Sequence, residues 1–287
     1  SRQSNNAPRL PLDLSQAGLD PAQLAAASKA SRRRVLLVQG PPGCGKTRTA
    51  CALLKAARRG SPLLAVADSN VAVDQLMKGL LALGVRAVRW GSPASVTDEQ
   101  LVDKTVEALL WANPECRELQ EQFTKLQEQL AVMQIEERRR RRSEGATGTS
   151  QAELLPETVV TEPAHTLAGV NAASEQHPNK ANCARKTQTS HEADVVKKEL
   201  ERVELSLLNE VLTDAEVVCA TIVGCGARSL AKWKFDLVLL DEASQATEPR
   251  TFIALNKMSR KGRAVLIGDH KQLPPVCLSE RAQAKGL

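Results

Sequence analysis

The 287 residues contain no tyrosine, only three phenylalanines and three tryptophans. So few rings exclude a stacking platform as the main grip on nucleic-acid bases. Long apolar runs are missing too: none approaches the roughly 18 residues that a membrane-spanning helix needs. The amino terminus lacks a charged-then-apolar leader, so no secretory signal is read there. Ser1 stands where a methionine would open a gene product, and the sequence reads as a fragment. None of the seven cysteines falls in a C-x-x-C pair, and Cys44 lies inside a glycine-rich turn where a disulfide would be awkward. A reducing compartment, cytoplasmic or nuclear, is the expectation. His177, Cys183 and His191 are close in sequence but lack zinc-ligand spacing.

What is present is enough for a core. Hydrophobic residues make up 42% of the chain, sufficient for one large domain with a subdomain. The net charge of +6 suits a polyanionic partner without demanding one.

Six short apolar runs read as strands: Val35–Gln39, Leu63–Ala67, Val85–Arg89, Val217–Thr221, Leu237–Asp241 and Ala264–Gly268. They are nearly continuous rather than alternating, as in a parallel sheet covered on both faces by helices. Helical patterns at Thr47–Arg59 and Val73–Leu83 lie between them. Asn113-Pro114-Glu115 then opens a different region. Cys116, Leu119, Phe123, Leu126, Leu130 and Met133 recur at spacings of three and four. A second stripe runs through Val196, Leu200, Val203, Leu207 and Val211. The pair predicts an antiparallel helical hairpin over 113–212, inserted between sheet segments 1–112 and 213–287. Its middle, about 138–193, is poor in large apolar residues and predicts disorder. It opens with the arginines Arg138 to Arg142, either a nucleic-acid contact or a solvated helix end.

Three motifs carry chemistry. Gly40-Pro41-Pro42-Gly43-Cys44-Gly45-Lys46-Thr47 follows a strand and precedes a helix, the context of a phosphate-binding loop. Its glycines free backbone N–H groups to surround the phosphates of ATP or GTP. Lys46 reaches the β- and γ-phosphates, and the Thr47 hydroxyl ligates Mg²⁺. In "LVLLDEASQATEP" an apolar strand delivers Asp241 to hold the metal and Glu242 to deprotonate the attacking water. In "LIGDHKQLPP" a third strand ends at Asp269 and Gln272. From the residues alone this is a polar strand tip with a stiff exit.

Together these residues resemble the first RecA-like lobe of a superfamily 1 helicase, in the branch of the nonsense-transcript regulators. The signatures are GPPGCGKT, ADSNVAVDQL, DEASQATEP and GDHKQLPP, in that order. The resemblance runs from about Leu19 to Leu287, apart from the low-complexity insert. It implies an α/β, RecA-like P-loop fold and an ATP-dependent RNA or DNA helicase or translocase, with a link to RNA surveillance. It implies that Gln23 recognises adenine, that Gln272 senses the γ-phosphate, and that Ser69, Asn70 and Thr221 contact single-stranded RNA or DNA. From sequence alone Ser69 is equally an N-cap. The family's second RecA-like lobe, with its arginine finger, is not part of the sequence, so a monomeric motor with little activity of its own is expected. Asp68 stands where proline is common in the branch. Two rivals are another P-loop ATPase, such as an AAA-type remodelling machine, and a non-catalytic interaction protein that kept the fold.

Overall fold

The computed structural model describes residues 10, 12–15, 17–146, 178–277 and 279–285. The chain divides into two compact units, Ser1–Asn113 with Glu204–Leu287, and Pro114–Val203.

The first unit is built on a six-stranded sheet in the order β1-β6-β5-β2-β4-β3. Its strands are β1 (Val35–Gln39), β2 (Leu63–Ala67), β3 (Ala87–Arg89), β4 (Val217–Thr221), β5 (Phe235–Leu240) and β6 (Met258–Gly268). Every pairing is parallel. Successive side chains of a strand face opposite sides, so the apolar runs feed two cores. Ala65, Ala67, Cys219, Leu239 and Ile267 pack with helices α1 (Pro21–Lys29), α2 (Lys46–Ala57) and α3 (Asn70–Ala82). Leu64, Val66, Val218, Ala220 and Leu240 pack with Val106 of α4 (Val106–Trp111), Leu208 and Leu212 of α6 (Pro178–Asp214), and Ala254 of α7 (Glu248–Leu255). This is the α/β parallel sheet that the continuous runs predict.

Burial on both faces fails at one strand. In β1, Val35 is 53% exposed and Leu37 74%. β1 is the sheet's edge, and on its second face the described residues supply no cover. β6 also begins six residues before the apolar run, because Met258 pairs with Phe235 across an irregular register.

The second unit contains α5 (Pro114–Ala146) and most of α6. Leu119, Phe123, Leu126, Leu130 and Met133 form a half-buried seam on α5, and Ala193, Leu200 and Val203 are buried on α6. The Lys186 ammonium donates to the Glu137 carboxylate at 2.6 Å, joining the end of α5 to the start of α6. The expected disorder of 138–193 is corrected at both ends, since α5 continues to Ala146 and α6 begins at Pro178. Arg, Lys, Glu and Ala are good helix formers, and a helix already nucleated by an apolar seam extends through them cheaply. The remainder of that prediction, 147–177, lies outside the described residues.

Candidate active site

At the carboxyl end of β1 the chain turns through Gly40 to Gly45 before Lys46 opens α2. Gly43 and Gly45 have φ of 74° and 76°, where a Cβ costs about 1–2 kcal/mol. A Cβ on Gly45 would lie 2.6 Å from Gln23 Nε2, and one on Gly40 would run into Cys44 Sγ. The turn therefore requires glycine for conformation and for space. Its start is pinned to the sheet, because the Gly40 N–H donates to the Gly268 carbonyl at 3.2 Å. Lys46 Nζ folds back to donate to the Pro41 carbonyl at 3.3 Å. Gln23 is on α1, where it completes a capping box with Asp20. Its Nε2 donates to the Cys44 carbonyl at 2.9 Å, so the side chain braces the turn.

Asp241 follows β5 and is 2% exposed. Its Oδ2 accepts from the Thr47 hydroxyl at 2.9 Å, across 194 residues of sequence. Burial raises its pKa; the Thr47 hydroxyl, the Glu242 N–H and Lys46 pull the other way. A hydroxyl beside a buried carboxylate is a hard oxygen donor set that fits Mg²⁺, and a cation there would offset the burial. Glu242 has φ 52° and is the single non-glycine residue with positive φ among those described. Holding a glutamate there costs about 1–2 kcal/mol, and such strain clusters at working sites.

The tip of β6 meets both elements. A Cβ on Gly268 would lie 2.9 Å from the Ser244 nitrogen and 3.2 Å from that of Ala243, so the acidic turn rests directly on the strand. Ser244 Oγ accepts from the Asp269 N–H at 3.2 Å, and Gln272 Nε2 donates to Asp269 Oδ2 at 3.1 Å. That bond, followed by one from the Lys271 N–H, holds Asp269 below the usual carboxylate range, with a smaller pull from Lys46. The structure thus brings Gln23, the glycine turn, Lys46, Thr47, Asp241, Glu242, Asp269 and Gln272 to one end of β1, β6 and β5.

The other half of the same sheet edge holds a groove of about 560 Å³. Ser69, Asn70 and Thr221 all line it. Ser69 caps α3, accepting from the Ala72 N–H at 3.2 Å. Thr221 Oγ1 accepts from the Gly224 N–H at 3.0 Å. Asn70 Oδ1 accepts from Arg89 Nη2 at 2.8 Å. Arg89 is 1% exposed; its Nε donates to Asp74 at 3.0 Å, and Asp74 accepts twice more from Thr97. A buried network therefore fixes which face Asn70 presents. Sequence reasoning missed it. Arg89 closes an apolar strand, where an arginine is ordinarily read as solvent-exposed, and its partner Asp74 hides among polar helix positions. A separate cavity of about 520 Å³ lies at the amino end of the strands, with Arg58, Arg86 and Glu216 in its wall. Its Arg58–Glu216 pair is closed at 2.7 Å, and none of the motif residues lines it.

A parallel sheet whose first strand enters a glycine turn, with an acid two strands away bonded to the threonine after the lysine, defines a P-loop nucleotide-binding fold. Within that class the chain belongs to the AAA_11 family of AAA domains, which matches residues 18–280. It is 30% identical over 289 residues to an uncharacterized ATP-dependent helicase of Methanocaldococcus jannaschii, covering 96% of this chain and 40% of that protein. It is 29% identical over 283 residues to DNA-binding protein SMUBP-2 of Mesocricetus auratus, covering 96% and 24%. It is 30% identical over 296 residues to ATP-dependent helicase upf1 of Schizosaccharomyces pombe, covering 98% and 25%. The chain spans two fifths or less of the length of these relatives.

Proposed function

We propose that this chain is the nucleotide-binding lobe of an ATP-dependent helicase or translocase, which turns ATP hydrolysis into movement along single-stranded RNA or DNA. The observation that carries the reading is the Thr47–Asp241 hydrogen bond. It joins the phosphate turn to the acidic strand, with Glu242 beside them in a strained backbone. In this reading Lys46 leaves the Pro41 carbonyl to neutralise the β- and γ-phosphates. Thr47 and Asp241 hold Mg²⁺, which screens phosphate charge when bound. Glu242 orients the attacking water and takes its proton. Gln272, tied to Asp269, registers the γ-phosphate, and Gln23 reads adenine while bracing Cys44. Ser69, Asn70 and Thr221 hold the sugar–phosphate backbone without reading bases. A second RecA-like lobe would complete the site, and the proposal extends to RNA surveillance, a reading supported by similarity to a protein of Neurospora crassa named regulator of nonsense transcripts 1 homolog.

The test is nucleotide binding and turnover. Removing a charged donor costs about 1.5–3 kcal/mol, so Lys46→Ala should weaken a fluorescent ATP analogue by about 10–150-fold. Unchanged affinity sinks the phosphate-turn assignment. In a protein that carries the second lobe, Glu242→Gln should bind the analogue normally and lose about 10²–10⁴ in single-turnover rate; ordinary turnover there would remove Glu242 from the base role. ATPase activity that ignores both poly(U) and poly(dT), and depends on assembly into rings, would favour the remodelling machine.

A further inference from the structure

Three charged side chains line the groove: Asp68, Arg89 and Arg250. Arg89 is buried beneath it, with Nε, Nη1 and Nη2 bonded to Asp74, the Trp90 carbonyl and Asn70. Arg250 differs. It stands on α7 and reaches Asp68, just past β2, through one nitrogen: Nη1 donates to both carboxylate oxygens, at 2.7 and 2.9 Å. Its side chain is 48% exposed. Among the described residues, its Nε and Nη2 donate to no protein group. A guanidinium carries five N–H donors in a rigid plane. With Nη1 spent on Asp68, the Nε–Nη2 edge remains, and that edge matches two oxygens of a phosphate.

A purely structural role is a weak explanation of the pair. Exposed ion pairs stabilise by about 0–1 kcal/mol, too little to need an arginine clasped end-on at the lip of this groove. The clasp does fix the direction of the remaining edge. Resting on the proposal that the groove holds single-stranded nucleic acid, we infer that Arg250 binds a backbone phosphate through its Nε–Nη2 edge. Asp68 acts as a positioning residue that holds the guanidinium from behind. The motifs common to such lobes do not reach this contact: Asp68 replaces a common proline, and Arg250 lies beyond the acidic signature.

The experiment measures binding of fluorescein-labelled oligo(U) and oligo(dT) to the full chain across a salt series. The variants are Arg250→Gln, Asp68→Asn, their combination, and Val223→Glu. Val223 lines the same groove and is 58% exposed, so its replacement adds a repelling charge without disturbing a core. ATP-analogue affinity, which none of these residues touches, verifies folding. Arg250→Gln should weaken binding about tenfold and reduce the salt slope by about 0.7, the share of one phosphate on a single strand. The same loss should recur in the Asp68→Asn background. If Arg250→Gln is silent there, Arg250 merely neutralises Asp68 and the inference is overturned. If it is silent in the parent while Val223→Glu weakens binding, the inference falls and the groove reading stands. If both are silent while the parent binds, the groove reading falls with it.

Discussion

Asp241 is a carboxylate kept almost out of water, and its charge has a measurable consequence. A buried acid with a raised pKa binds more protons folded than unfolded, so stability falls as pH rises from the ordinary carboxylate range through the raised value. Asp241→Asn removes that slope. The amide can still accept from the Glu242 N–H and donate to the Thr47 oxygen, so both bonds survive in altered form. The nucleotide-free variant should be more stable than the parent at neutral pH by roughly 0.5–2 kcal/mol, and the difference should vanish in acid. Urea melts between about pH 4 and pH 7 check it. Mg²⁺ with an ATP analogue should reverse the order, because ligand binding stabilises the protein that binds it. At this scale the sequence was readable wherever a motif announced itself. Lys46, Thr47 and Asp241 were assigned from spacing, and the structure brings them together. The left-handed backbone at Glu242 left no trace in the letters, because nothing in D-E-A-S requires it until the turn meets Gly268.

The elements show where reading by pattern stops. The apolar runs located all six strands, because a strand buried on both faces needs a continuous run. They did not reveal that β1 is an edge, since exposure depends on what lies beyond it. The low-apolar stretches at 138–146 and 178–193 read as disorder because composition reports core burial, and a helix extended from a packed seam needs little. Buried polar pairing was equally hidden. Arg89 at the end of β3 and Asp74 on α3 are 15 residues apart and meet only after both elements dock. Their bond carries a testable load. Arg89→Met strands a buried carboxylate with only Thr97 to satisfy it, which should cost about 3–5 kcal/mol. Replacing the pair together, as Arg89→Met with Asp74→Leu, should recover most of that loss. Denaturant unfolding of the two singles and the double gives the coupling directly. An additive result would mean that the network is not what holds β3 against α3.

Across the whole molecule, the residues that make the cores and those that make the candidate sites are distributed unevenly. Both hydrophobic clusters draw on Ala27 through Val106 and on Leu208 through Ile267, with no member between 114 and 203 among the described residues. The phosphate turn, the acidic strand, the β6 tip and the groove also lie outside that stretch. The second unit has its own seam on α5 and α6 and its own Glu137–Lys186 link. If burial sets stability, then excising 114–203 leaves every described member of the two clusters in place. We predict that joining Asn113 to Glu204 through a short Gly/Ser linker leaves a folded protein, because loop-closure cost grows by only about 0.6 kcal/mol per doubling of length. Its affinity for a fluorescent ATP analogue should stay within about threefold of the parent, a change of under roughly 1 kcal/mol. Its cooperative unfolding should persist, with a smaller denaturant slope because less surface is exposed. Loss of nucleotide binding together with non-cooperative melting would mean that the insert completes the fold of the sheet unit. Binding retained with melting intact would establish 114–203 as a separable attachment to the nucleotide site.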